Sequence, residues 1–443
     1  MTIKTRRILL SMAVVIFLAA GSVLLMYARG YRWDFSSNKF VLSGAIYVES
    51  VYPKETEITY NGKVYNKNGS ALIKNLLPSK KYRVSVSKDS FQTWEKEFQV
   101  TPGLVTNTEN IVLFPKQLQN QIVWPETSGL NDFTISVNEK NIAVKINTAK
   151  VLVRDLTNIN ATSTELKFPD KLKNKSVSFL ENNKGWSKDS QKLIILRETA
   201  KAIKNWYIYD SSNDSFTNLT TLYEKKLVLK NPSPTPLPTK FAATKLKWFG
   251  ENGIIALIDD KLILLDIKEE TVTDLNFSGI ENFDVFENKI IAIKNPNILL
   301  LMDSAVQNIS ALGETKFENP NTIYFSPEGD KAVYRDLGGK NLGVIWLKET
   351  TKGQPRKANN QEVIYVNNEN TGNIDNEIYW HHFGEYVLFN EVESLKTAEI
   401  DTRSNVNIAS WPENKINKTV YLPKESRLYI LENSTVKVVE GKF

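Results

Sequence analysis

Residues Ile8 to Met26 form an unbroken run without a charged side chain, ILLSMAVVIFLAAGSVLLM. At ~1.5 Å per helical residue such a run covers the ~30 Å hydrocarbon core of a bilayer. Beyond residue 35 no second run of that length occurs, and the pattern changes to short apolar stretches broken by turn residues. From Leu42 to Pro115 these stretches alternate apolar and polar positions, as in Ala45-Ile46-Tyr47-Val48, Thr56 to Tyr60, Tyr82 to Val86 and Phe98-Gln99-Val100. That period predicts strands, and their density predicts a small antiparallel sandwich. Asn61-Gly62, between two such stretches, is the signal for a two-residue hairpin with both central residues at positive φ.

After residue 120 one element recurs: an aromatic or apolar strand end, a polar turn, then a run of β-branched or aromatic residues. The clearest copies are Trp186 to Ile194 and Phe325 to Val333, and five more align with them. Taking Ile142, Leu193, Ile254, Ile290, Ala332, Tyr386 and Leu428 as equivalent gives intervals of 51, 61, 36, 42, 54 and 42 residues. Such intervals suit blades of four short strands, so a β-propeller, most simply of seven blades, is predicted. Too few residues follow Leu428 to complete the last blade; Gln121-Ile122-Val123-Trp124 is the expected donor of the closing strand.

The expected organisation is therefore all-β behind an N-terminal transmembrane helix: a basic cytoplasmic segment 1–7, a signal anchor 8–26 from Ile8 to Met26, a juxtamembrane linker 27–41, a β-sandwich 42–115 and a propeller 120–443 with a Pro-rich loop at 229–240. Lys4, Arg6 and Arg7 before the span favour an N-terminus inside and a body outside the cytoplasmic membrane. A cleaved signal peptide is the alternative, since Ala19-Ala20-Gly21-Ser22 offers small residues, but the apolar run continues past them to Met26. Tyr27, Tyr31 and Trp33 stand where aromatic anchors meet a membrane surface.

Two resemblances follow from particular residues. Gly44 to Ser50 followed by Pro53-Lys54-Glu55-Thr56, the Tyr60-Asn61-Gly62-Lys63 hairpin, and Tyr82 to Lys88 with Phe91 and Trp94 resemble the PEGA domain over roughly residues 43 to 114. Glu55 and Ser79 stand where that family has glycine. The resemblance implies an immunoglobulin-like extracytoplasmic module without catalytic residues. Phe325-Ser326-Pro327-Glu328-Gly329-Asp330-Lys331 is similar to the aromatic-Ser-Pro-Asp-Gly-Lys turn of TolB-type propeller repeats.

Composition changes little in this picture. The net charge of +6 is spread along the chain, which argues against a nucleic-acid partner, and the absence of cysteine removes disulfides, thiolate metal sites and cysteine nucleophiles. His381-His382, on a predicted strand, should point to opposite faces, one packed and one exposed, so no metal is expected there. Asp210, Asn213 and Asp214 read as a turn rather than a calcium loop, Ser85 to Lys88 as a strand, and Gly338-Gly339-Lys340 as a hairpin turn. The Trp and Tyr set reads as packing between blades rather than a glycan-binding face. No catalytic residue, metal or cofactor is expected. The functional expectation is a membrane-anchored binding or scaffolding protein of the cell envelope, with the bilayer and an envelope protein or polysaccharide as partners. The alternatives are an enzyme with its site at the propeller channel, and a purely structural contact of the PEGA-like module with cell wall or surface layer.

Overall fold

The computed structural model describes residues 2–158, 161–169, 175–199, 204–225, 238, 240–303, 308–351, 354–367, 373–392, 394–411 and 416–439. These form two compact units: Met1–Lys116 with Thr350–Arg356 and Arg403–Asn407, and Gln117–Glu349 with Lys357–Thr402 and Ile408–Phe443.

The first unit begins with helix α1, Ile3–Ala28, capped by Thr2, whose hydroxyl accepts from the Thr5 amide at 3.3 Å. No residue of α1 is buried and its most apolar window has a mean hydropathy of 2.7, so it has the length and composition of a membrane anchor or a signal sequence. The stretch expected as a linker contains an antiparallel ribbon, β1 (Tyr31–Asp34) and β2 (Lys39–Leu42). Seven strands follow: β3 (Gly44–Tyr52), β4 (Glu57–Tyr60), β5 (Lys63–Asn66), β6 (Ser70–Leu76), β7 (Lys81–Ser87), β8 (Trp94–Gln99) and β9 (Val105–Val112).

They form two sheets, β6-β3-β9 and β5-β4-β7-β8. Alternate residues Ile46, Val48, Ile58, Ile73, Val84, Val86, Trp94 and Phe98 supply the core between them. Asn61 and Gly62 both take positive φ, 46° and 77°, as the hairpin signal requires. Tyr82 ties its strand back to the preceding turn, its hydroxyl donating to the Leu77 carbonyl at 3.0 Å and accepting from the Leu77 amide at 2.6 Å. The antiparallel expectation needs one correction. β9 pairs with β3 in parallel, because the chain crosses from β8 in the other sheet and enters this one at the end where β3 begins.

The second unit is a propeller of seven four-stranded sheets. In chain order the innermost strands of blades one to seven are Leu130–Ile135, Lys175–Phe179, Lys245–Phe249, Ile280–Phe286, Pro320–Phe325, Ile374–Trp380 and Ile416–Leu422. All seven residues taken as equivalent in the sequence fall within the first two positions of a second strand, from Ile142 in blade one to Leu428 in blade seven. Their neighbourhoods read as continuous apolar runs because second strands are covered on both faces by adjacent blades; Ile254–Ile258 and Tyr386–Glu391 are buried at every position. Blade seven is closed by Asn120–Trp124, which pairs antiparallel with Thr435–Val439, the donor expected from the sequence. A short helix, α2 (Leu219–Lys225), follows blade two; the Pro-rich loop at 229–240 lies outside the described residues except for Pro238 and Lys240.

The repeated turn has a physical basis. Ser136 and Ser326 directly follow an innermost strand and Ser187 follows the Trp186–Leu193 bridge of blade two; each hydroxyl accepts from the amide five residues on, of Asn141, Lys192 and Lys331, at 2.8–3.1 Å. Three residues after each serine the backbone is left-handed, at Glu139, Ser190 and Gly329, with φ near 60° in each. His381 occupies the serine position in blade six, with Gly384 at the left-handed position. This corrects the reading of the histidine pair. The strand ends at Trp380, so the two imidazoles sit in the turn with ring centres 4.4 Å apart rather than on opposite faces. Seven of the nine tryptophans are buried: 94, 124, 186, 206, 346, 380 and 411. Gly338–Lys340 lies in the hairpin between Lys331–Asp336 and Asn341–Trp346, and Asp210 accepts from the amide and hydroxyl of Ser212 as a turn residue does.

Candidate functional site: the propeller axis

Innermost strands converge on the propeller axis, where side chains from different blades meet. Here they meet as charges. Lys418 of blade seven lies between two carboxylates, its ammonium 2.6 Å from Asp132 of blade one and 3.4 Å from Glu377 of blade six. Lys145 also approaches Asp132, at 3.7 Å. Glu377 further accepts from the Tyr379 hydroxyl at 2.6 Å and from the Asn182 amide at 2.8 Å. On another part of the axis, Asp284 of blade four lies 3.4 Å from Lys247 of blade three and 3.8 Å from Lys184, and accepts from the Phe325 amide at 2.9 Å. Lys247 also stands 4.9 Å above the Tyr324 ring.

A turn from blade two crosses this network. After the innermost strand Lys175–Phe179 the chain makes one short turn, Glu181–Asn183, with Asn182 and Asn183 both left-handed at φ 53° and 55°. Two asparagines in succession tolerate that conformation better than most residues. Asn182 then pairs with blade six as a strand would, accepting from the Ile378 amide at 2.7 Å and donating to the Ile378 carbonyl at 2.5 Å. Asn183 does the same on blade one, accepting from the Ile135 amide at 2.8 Å and donating to its carbonyl at 2.6 Å. Glu181 accepts from the Tyr324 hydroxyl at 3.5 Å and faces Lys245 at 4.0 Å. One turn thus clasps blades one, two and six across the axis.

Burial and pairing set the protonation of these groups. Burial alone would depress Lys418, but Asp132 and Glu377 outweigh it and hold its pKa above that of an ordinary lysine. Burial raises the Glu377 carboxyl, with Lys418 opposing. Burial also lowers Lys247 despite Asp284, and pushes Lys245 down to about 8, with Glu181 opposing. The Tyr324 and Tyr379 phenols are driven well above their usual value by burial.

Among the described residues, two cavities lie in this region. One, of about 230 Å³, is lined by the C-terminal ends of innermost strands and the turns after them: Phe286, Phe325, Trp380 and Tyr421 form an aromatic cup, with Asn182–Lys184 among its lining and Val137 at 38% exposure. The other, of about 210 Å³, is lined by residues of blades two to five, including Trp206, Lys245, Lys247, Asn282 and Tyr324. The indole of Trp380 is fixed by its N–H donating to the Tyr324 carbonyl at 3.1 Å. Beside the cup, His382 Nδ1 and Ser426 Oγ are 2.9 Å apart. Ser426 is buried and left-handed at the position that Glu139, Ser190, Gly329 and Gly384 occupy in other blades, which makes it a turn residue.

The residues expected at a membrane lie elsewhere. Ile8 and Met26 are in α1, Tyr27 is in its last turn beneath the Arg32 guanidinium at 3.7 Å, and Tyr31 and Trp33 are in β1. No Asp, Glu and His group of three or more positioned to hold a metal occurs among the described residues. Nothing in the sequence pointed to the axial residues, since each innermost strand contributes only one or two of them. The Asn182-Asn183 pair was the one visible signal of a left-handed turn.

Fold and axis together define an all-β propeller protein with an apolar N-terminal helix. No protein-family model matches the chain. No curated protein matches it either. Among solved structures, the β-propeller domain of Myceliophteria thermophila Cps50 (Swd1) is similar over 73% of this chain and 100% of its own, with 11% identity and a TM-score of 0.48.

Proposed function

We propose that this chain is a membrane-anchored, extracytoplasmic binding or scaffolding protein of the cell envelope, with α1 as tether, the PEGA-like sandwich as spacer and the propeller as the binding body. The observation that carries the reading is the state of the axis. Asp132, Asp284 and Glu377, the carboxylates a channel-borne acid–base mechanism would use, are each ion-paired to lysine, and Asn182 and Asn183 pin a turn across them. The aromatic cup next to that turn is a concave surface beside the paired charges, and cups lined by aromatic side chains suit binding. Support for the PEGA-like spacer comes from Glu55, which stands where that family has glycine and has a left-handed φ of 60°. The Tyr82 hydroxyl, closed onto Leu77, is the kind of corner immunoglobulin-like sandwiches use.

The test is capture from envelope membranes. A Val137→Cys chain carrying a photo-crosslinker beside the cup should label an envelope protein or a wall polysaccharide. Adding Pro423→Asp to that labelled chain should abolish capture without lowering the melting temperature. Undiminished capture by the doubly substituted chain would move the site off the cup, and co-sedimentation with wall material by residues 44–116 alone would favour the structural role of the sandwich.

A further inference from the structure

We propose that the ribbon β1–β2 and the turn Thr101–Leu104 form one membrane-contacting collar, seated in the headgroup region of an anionic leaflet beside α1. The proposal rests on the reading of Ile8–Met26 as a membrane span and adds a surface to it that no continuous stretch of sequence contains.

The ribbon is two-faced. Arg32 and Asp34 point to one side: the Arg32 guanidinium donates to the Asn75 side chain at 2.6 Å and to the Tyr27 carbonyl at 2.8 Å. Asp34 is buried and accepts from the Ser36 amide and hydroxyl at 2.9 and 2.7 Å, which hold its carboxyl down at about 2. Strand alternation then puts Tyr31 and Trp33 on the other side, with their cross-strand partners Leu42 and Phe40. Trp33 and Phe40 meet edge to face with ring centres 4.9 Å apart. Phe35, at the ribbon tip, is 87% exposed.

A second segment joins this face. A Cβ placed on Gly103 would lie 2.7 Å from the Leu42 side chain, and its φ is +72°, so glycine is what lets the Thr101–Leu104 turn lie against the ribbon. Leu104 and Val105 beyond it are 60% and 53% exposed.

Lipid is the occupant for two reasons. The surface is continuous with the helix: only Arg29 and Gly30 separate α1 from β1, and the Gly30 carbonyl accepts both the amide and the hydroxyl of Ser43, at 2.9 and 2.7 Å. That fixes the ribbon's base at the end of the apolar run. The exposed charge is also of one sign: residues 27–43 contain Arg29 at the ribbon's base and Arg32 and Lys39 on its opposite face, and their single acid, Asp34, is buried. Exposed aromatic rings with basic side chains beside a span are what an anionic interface attracts.

The chain has no cysteine, so single-cysteine probes are clean. Full-length Phe35→Cys, Leu104→Cys, Leu18→Cys and Asn68→Cys proteins, each with an environment-sensitive fluorophore, are reconstituted into phosphatidylglycerol–phosphatidylethanolamine vesicles carrying nitroxide lipids. Emission from positions 35 and 104 should shift to shorter wavelength and be quenched several-fold by headgroup-level nitroxides, while position 18 is quenched by mid-chain nitroxides and position 68 stays water-like. Water-like emission at 35 and 104 with position 18 still quenched would overturn the collar and leave the anchor standing. Blue-shifted but unquenched emission at 35 and 104 would overturn it in favour of a protein cover, and an unquenched position 18 would remove the span and the collar together.

Discussion

Replacing Lys418 with methionine is the most direct test of whether the axial network holds the propeller together. The ammonium serves Asp132 at 2.6 Å and Glu377 at 3.4 Å, and all three side chains are 13–15% exposed. Removing one partner of a buried ion pair costs about 3–5 kcal/mol, chiefly because the other charge stays buried. Here Lys145 remains on Asp132, and the Tyr379 hydroxyl and Asn182 amide remain on Glu377, so the lower end, about 3 kcal/mol, is expected. For a body of roughly 320 residues the unfolding entropy converts 1 kcal/mol into about 1.5 °C, so the propeller transition should fall by ~4–5 °C.

The pH dependence makes the test specific. Burial already raises the Glu377 carboxyl and Lys418 opposes that rise, so Lys418→Met raises it further. A carboxyl whose folded pKa exceeds its unfolded one binds more protons when folded, so its stability contribution grows as pH falls toward the unfolded value. The substituted protein should be more destabilised at pH 8 than at pH 5, and Glu377→Gln added to it should flatten that difference. Thermal unfolding of the detergent-solubilised chain, followed by tryptophan fluorescence at both pH values, measures this. A melting temperature unchanged by Lys418→Met at pH 8, or an equal loss at both pH values, would refute the reasoning.

Four further outcomes are expected. Lys245, with a folded pKa of about 8 against an ordinary 10.5, is deprotonated in the folded state while the unfolded chain still holds the proton, so its contribution to stability rises between those pH values; the difference in melting temperature between wild type and Lys245→Met should change across that window. Asn182→Ala leaves the Ile378 amide and carbonyl without their asparagine partner, at about 1–3 kcal/mol each, and should lower the propeller transition by more than Asn138→Ala in an exposed turn. Ending the chain at Asn433 removes the strand between Asn120–Trp124 and Arg427–Glu432, and should replace the cooperative transition by an earlier, broader one in calorimetry. Tyr82→Phe removes both hydrogen bonds to Leu77 and should cost the sandwich about 1–2 kcal/mol in chemical denaturation.

Legibility in the sequence follows how local the cause is. A second strand covered on both faces must be apolar throughout, so Ile254 to Ile258 and Ile290 to Ile293 announce themselves. A turn that needs a serine hydroxyl and a left-handed residue three positions later leaves a motif, which is why Trp186 and Phe325 begin the clearest repeats. The parallel pairing of β9 was not legible, because strand direction is set by which sheet the chain has just left. The histidine pair misled because the strand ends one residue before it.

The axis was illegible for a stronger reason. Lys418 and Asp132 are 286 residues apart, and Asn182 and Ile378 are 196 apart. Lys418, Asp132 and Asn182 are unremarkable polar residues in their own strands or turn, Ile378 takes part through its backbone, and only ring closure makes them neighbours. That closure also bears on function. A ring whose centre is occupied by paired charges and pinned by a turn from its own second blade has committed its axial polar groups to its own structure. On the proposed reading, what it offers a partner is the cavity beside that turn, lined by Phe286, Val137 and Tyr421 from three different blades. A partner that reads this surface reads the closed ring, so opening blade seven by truncation should abolish capture at Val137 even though that residue and its own blade are unchanged.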